Sequence, residues 1–112
     1  MIDRQKFDET FQYFDADLVQ NIIDLYKQEL PGRLEKILTN IRDKDFENLA
    51  FNIHSLRGVT GAFMDPEPTE LARKIEEKAH NQVFEGLDDL SGRLKDAAEA
   101  LAVELTEISG TL

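Results

Sequence analysis

The chain reads as all-α, an up-down antiparallel four-helix bundle with a short N-terminal helix capping one end, and three observations lead there. Apolar residues recur at three- and four-residue intervals through most of the 112 residues, the spacing of one buried stripe on an α-helix. No stretch alternates apolar and polar with the period of two that a half-buried strand requires. The connections between the long amphipathic segments are short, which favours antiparallel neighbours. The length suits one domain over residues 1–112, enough for a single modest core but not for two.

The first helix is expected over about Arg4 to Phe14, with Phe7, Phe11 and Phe14 on one side. The second begins near Asp15 or Asp17, either a suitable N-cap, and carries Leu18, Ile22, Leu25, Tyr26, Leu30, Leu34, Ile37, Leu38 and Ile41. Pro31-Gly32 falls inside it. Proline lacks a backbone donor and clashes with the preceding turn, so a kink or brief break is expected there, with the helix resuming by Arg33. The third helix runs from about Asp45 to Phe63 on a stripe of Phe46, Leu49, Ala50, Ile53, Leu56 and Phe63. Asp65-Pro66 then reads as the N-cap and first-turn proline of a fourth helix that buries Leu71, Ala72, Ile75 and Ala79 and ends near Asn81. The fifth carries Leu87, Leu90, Leu94, Ala97, Ala98, Leu101, Leu105 and Ile108, close to a seven-residue repeat, with Gly86 and Gly92 weakening its start.

A composition of 41% hydrophobic and 32% charged residues is a globular balance, not a disordered one. No cysteine is present, so there is neither a disulfide framework nor a thiolate metal site. No apolar run approaches the roughly 20 residues that span a bilayer, and Asp3 and Arg4 interrupt any secretory pattern, which points to a soluble, cytoplasmic protein. The initial methionine and compact length favour a free-standing chain over a piece of a larger sensor kinase. A formal net charge of −10 argues against nucleic acid and anionic membrane surfaces as partners. An anion handled here has to be drawn by local groups, and partner docking has to lean on apolar contact.

The segment Phe51-Asn52-Ile53-His54-Ser55-Leu56-Arg57-Gly58-Val59-Thr60-Gly61 places an imidazole, a cation and two glycines on the third helix. At about 100° per residue, His54 projects to the flank of the buried stripe, with Glu47, Phe51, Gly58 and Gly61 on the same flank. Each glycine costs a helix interior about 1 kcal/mol relative to alanine, so both are expected to clear space for a docking partner beside the ring. Arg57 can swing its guanidinium towards the same space, where it suits a phosphoryl group through paired, charge-assisted hydrogen bonds. Neutral imidazole is nucleophilic near neutral pH and its phosphoramidate is labile enough to pass the group on. These residues fit a histidine that carries phosphate.

The string Ile53, His54, Ser55, Leu56, Arg57, Gly58, followed by Gly61-Ala62, resembles the helical signature of the histidine-containing phosphotransfer (HPt) domains of multistep two-component phosphorelays. The order of helices and the segment Leu25-Tyr26-Lys27-Gln28-Glu29-Leu30-Pro31-Gly32-Arg33-Leu34 are also similar to that family. The chain departs from it in carrying arginine where lysine is commoner, and Met64 and Asp65-Pro66 where many members continue with a further Gly-Ala. The third helix is therefore expected to end early. The resemblance implies that His54 accepts a phosphoryl group from a receiver-domain aspartate and passes it to another, with Arg57 contacting the phosphoryl group. It implies response-regulator receiver domains as partners, a hybrid sensor kinase as a further candidate, and a monomer. No cofactor is expected on this chain, since the receiver supplies the Mg²⁺, and neither autonomous kinase nor hydrolase activity is expected.

A second reading, from a different class, is a helical interaction module that docks a receiver or another signalling protein without phosphotransfer. Phe51, Ser55 and Val59 lie beside His54 and are candidates for the docking surface. His80, near the end of the fourth helix beside Lys78 and Asn81, reads as a cation complementing a helix C-terminus. Arg73, Lys74 and Lys78 add positive potential if that helix packs beside the third. Beside the acidic clusters Asp43-Asp45, Glu76-Glu77 and Asp88-Asp89 the Glu-x-x-His spacing occurs once, at Glu77-Lys78-Ala79-His80, whereas a di-iron bundle needs it on two helices, so no metal site is expected. No Ser-His-Asp or paired-carboxylate arrangement supports hydrolysis.

Overall fold

The computed structural model describes residues 1–112. Five helices follow one another and no strand forms: α1 (Arg4–Phe11), α2 (Ala16–Arg42), α3 (Phe46–Ala62), α4 (Pro66–His80) and α5 (Leu87–Ser109). In the bundle α3 lies between α2 and α4, and α5 closes the ring between α4 and α2. The 27 residues of α2 rise about 1.5 Å each, enough to run nearly the whole 42 Å long axis of the molecule. No helix is long and apolar enough to cross a membrane.

Four of the helix starts are set by an aspartate. Asp3, Asp15, Asp45 and Asp65 accept hydrogen bonds from the backbone N–H groups of Lys6, Asp17, Asn48 and Glu67, satisfying donors that the first turn leaves unpaired. The fifth start is different: Gly86 adopts φ 85°, a left-handed conformation that glycine reaches without a Cβ clash, and no side chain caps the helix.

Helix α1 ends three residues earlier than its phenylalanine spacing suggested, because the chain must turn through Gln12 and Tyr13 before Asp15 opens α2. Phe7 is still buried, and the Phe11 ring stands 4.7 Å from Phe7, 5.2 Å from Phe14 and 6.4 Å from Phe63. The Asp3 N–H donates to the Met64 carbonyl at 2.7 Å, which fastens α1 over the α3–α4 connection as a cap on that end of the bundle.

Helix α2 corrects two sequence expectations. It passes through Pro31-Gly32 without interruption. Proline removes one donor from the ladder, but Leu30 and Leu34 on either side are buried in the core and hold the helix against it, while Pro31 itself is exposed. The buried stripe is Val19, Ile23, Tyr26, Leu30, Leu34, Ile37 and Ile41, whereas Leu18, Leu25 and Leu38 lie 47%, 55% and 45% exposed. Two apolar stripes run side by side along this helix, and packing against α3 and α5 decides between them: the Tyr26 ring stands 5.4 Å from Phe63 at the end of α3, and its hydroxyl donates to the Ala98 carbonyl of α5 at 2.8 Å from within the core. Burial, with the nearby Asp65 charge adding to it, pushes that phenol well above its usual range.

The other stripes fall where the periodicity put them. Leu49, Ile53, Leu56 and Phe63 are buried from α3 and its C-cap, Ala72, Ile75 and Ala79 from α4, and all eight apolar residues assigned to α5. Leu71 is only half-buried, and Pro68 takes the remaining core place on α4. As expected from Met64 and Asp65-Pro66, α3 stops at Ala62, and Met64 reverses the chain at φ 61°.

Candidate functional site around His54

With Ile53 and Leu56 fully buried, the helical rotation carries His54 out to the flank of α3, where its side chain is 72% exposed. The ring is held by a residue of α4. Glu76 places Oε2 2.9 Å from His54 Nδ1 and takes a hydrogen bond from Arg57 Nη1 on Oε1 at 3.1 Å. Its side chain is only 12% exposed, while the two groups it binds open to solvent. His80, one turn further along α4, brings Nε2 within 3.5 Å of the same Oε2.

Burial works against the charged form of Glu76. The hydrogen bonds from Arg57 and His54 outweigh it, so the carboxyl lies below the usual carboxylate range. An ionised carboxylate only accepts hydrogen bonds, which makes Nδ1 of His54 the protonated nitrogen. In the neutral ring Nε2 then keeps its lone pair, and it is the nitrogen not engaged by Glu76.

Gly58 leaves open space: a Cβ there would meet nothing within 4 Å. Gly61 is different from what its spacing suggested. It turns towards α4, where a Cβ would sit 3.8 Å from Thr69 Cγ2 and 3.9 Å from Thr69 Oγ1, so it lies on the α3–α4 seam and not under an open approach to the ring. The buried Thr60 hydroxyl and Thr69 Oγ1 lie 2.8 Å apart across that seam, tying the two helices beside the site.

On the other side of His54, Phe51 is 75% exposed. Ser55 Oγ accepts from Arg33 Nη1 at 2.8 Å, and Arg33 also pairs with Glu29 at 3.3 Å, so α2 contributes a polar rim to this face. Val59 is half-buried and, with Phe11, Ile22, Leu25, Ala62 and Phe63, lines an apolar groove of about 260 Å³ between α2 and α3. A larger groove of about 570 Å³ opens between α2 and α5, across the ring from the α3–α4 seam.

Arg73 does not add free positive charge to α4. It donates to Glu70 at 2.7 and 2.9 Å and to Glu77 at 3.1 Å, and these bonds hold the Glu70 carboxyl below its usual range and raise the guanidinium above its own. No group of three or more His, Asp or Glu side chains has the geometry to hold a metal ion.

His54, Arg57 and Gly58 therefore come together as their spacing on one helix indicated. Glu76 and His80 were missed: the first was weighed only within an acidic pair, the second only as a helix-end cation. No signal within either helix marked Glu76, because its place beside His54 depends on how α4 lies against α3.

Fold and site together define a helical bundle that displays an accessible imidazole from the middle of one helix, oriented by a carboxylate from the next. The family model of the Hpt domain matches residues 21–106, from the second turn of α2 almost to the end of α5. The chain belongs to the Hpt domain family, which gives it a phosphotransfer-related role in two-component signalling and response-regulator receiver domains as the typical partners. No curated protein and no solved structure matches it.

Proposed function

We propose that His54 is the phosphoryl acceptor and donor of a phosphorelay. The observation that carries this is the bond from His54 Nδ1 to the ionised Glu76, which leaves Nε2 as the nucleophile at an exposed position. In the forward step the Nε2 lone pair attacks the phosphorus of a receiver's aspartyl phosphate. The N–P bond forms as the P–O bond to the aspartate breaks, and the aspartate leaves as a carboxylate. The ring gains positive charge while Nδ1 keeps its proton, and Glu76 stabilises that charge. Transfer to a second receiver is the same step reversed.

Positioning and charge stabilisation carry phosphoryl transfer. Arg57 turns from Glu76 to the phosphoryl oxygens, Gly58 lets the receiver's backbone close over the ring, and the receiver brings the Mg²⁺. Phe51, Ser55, Val59 and the α2–α3 groove form the docking surface, which suits a chain whose net charge of −10 does little to attract an acidic receiver site. On this proposal the protein acts as a cytoplasmic monomer over a single domain and has no kinase or hydrolase activity of its own.

The test is the intact mass, at neutral to alkaline pH, of wild type and His54→Gln after incubation with Mg²⁺ and phosphorylated receiver domains from the same organism. One acid-labile phosphoryl increment on wild type and none on His54→Gln is expected. Equal labelling of both would remove His54 from the role. Binding of receivers without any increment would leave a docking module that performs no transfer.

A further inference from the structure

His80 has no part in the relay chemistry described above, yet its Nε2 lies 3.5 Å from the oxygen of Glu76 that holds His54. Resting on the relay reading, we infer that His80 is a positioning residue: it is the partner that keeps Glu76 on His54 once Arg57 has turned to the phosphoryl group.

The Glu76 side chain is 12% exposed, and a carboxylate so enclosed needs charged or hydrogen-bonding partners. In the structure those partners are Arg57 on Oε1 and His54 on Oε2. A phosphoryl group on His54 Nε2 introduces a second anion on the same ring, and the guanidinium of Arg57 is the cation that can reach it. Arg57 then leaves Oε1, and two anions face each other across one imidazole with only the Nδ1 proton to hold the carboxylate in place.

The notch beside Glu76 is lined by Arg57 from α3 and by Arg73, Glu77, His80 and Asn81 from α4, with no residue from α5. Arg73 is committed to Glu70 and Glu77 and cannot move in without breaking three hydrogen bonds. His80 remains, one helical turn from Glu76, with its own side chain 64% exposed. Its imidazolium form replaces the charge that Arg57 withdraws. The Nδ1–H···Oε2 bond to His54 persists and no backbone has to move. Phosphorylation of His54 is thereby supported by a second histidine on the neighbouring helix.

The experiment compares full-length wild type, His80→Gln and His80→Lys for the rate at which His54 gains the phosphoryl increment from one phosphorylated receiver, between about pH 6 and pH 8.5, the range over which imidazoles change charge. His80→Gln is expected to be roughly fivefold slower than wild type at the acid end, the scale of one charge-assisted contact, and to converge with it at the alkaline end. His80→Lys, a permanent cation, is expected to match wild type at the acid end and to exceed it at the alkaline end. A His80→Gln rate equal to wild type throughout, or lowered by a constant factor that lysine does not restore, would overturn the role. Absence of any increment on wild type would instead overturn the relay reading, and the inference with it.

Discussion

Glu76 is the residue through which His54 and Arg57 act on one another, and its charge state decides what each of them does. Replacement by alanine removes the acceptor of the Nδ1 proton, frees the ring to take either tautomer and unpairs Arg57. A hydrogen bond to a charged group contributes about 1.5–3 kcal/mol, so Glu76→Ala is expected to slow phosphorylation of His54 about tenfold or more by intact-mass kinetics. Glu76→Gln keeps an acceptor oxygen but not the charge that stabilises the phosphorylated ring, and is expected to slow the reaction less than Glu76→Ala does. The same residue gives an acid limb to stability. Its folded pKa is depressed, so its contribution is fully present above the ordinary carboxylate value of 4.5 and is lost as pH falls through the lower folded value. Thermal melts across that range are expected to show a shallower acid limb in Glu76→Gln than in wild type. His54, Arg57 and Gly58 were legible because a single helix places them by spacing alone. Glu76 was not, because its position against His54 exists only when α4 is laid on α3.

Helix α2 shows where an element departs from its local rules. Proline in a helix interior costs about 3 kcal/mol relative to alanine, offset by up to about 1 kcal/mol of lost freedom in the unfolded chain. Pro31 stands on the exposed face of α2, outside the core. Pro31→Ala is therefore expected to stabilise the protein by about 2 kcal/mol, read as a higher urea midpoint at unchanged slope. An unchanged or lower midpoint would mean that the helix bends at residue 31 to fit α5. The aspartate caps of α2 and α4 and the full stripe of α5 were readable from sequence, since both depend on a few adjacent residues or on an unbroken repeat. The buried face of α2 was not, because Leu18, Ile22 and Leu25 form a stripe as regular as Val19, Ile23 and Tyr26, and only packing against α3 and α5 selects the second.

At the scale of the whole molecule, 23 acidic residues face 13 basic ones, and repulsion among them opposes the compact state. Raising NaCl from about 10 mM to about 0.5 M shortens the screening length several-fold and is expected to raise the thermal midpoint. A fall would mean that the surface ion pairs outweigh the net repulsion. The bundle itself, its helix order, the exposed flank of His54 and the cation one turn away were determined by the sequence alone, because period, caps and spacing within a helix act over a few residues. The tertiary structure alone decided which stripe of α2 is buried, that Gly61 belongs to a helix seam and that Glu76 joins His54, Arg57 and His80. These depend on the register of one helix against another, which is set by the packing of many side chains at once and leaves no mark at any single position.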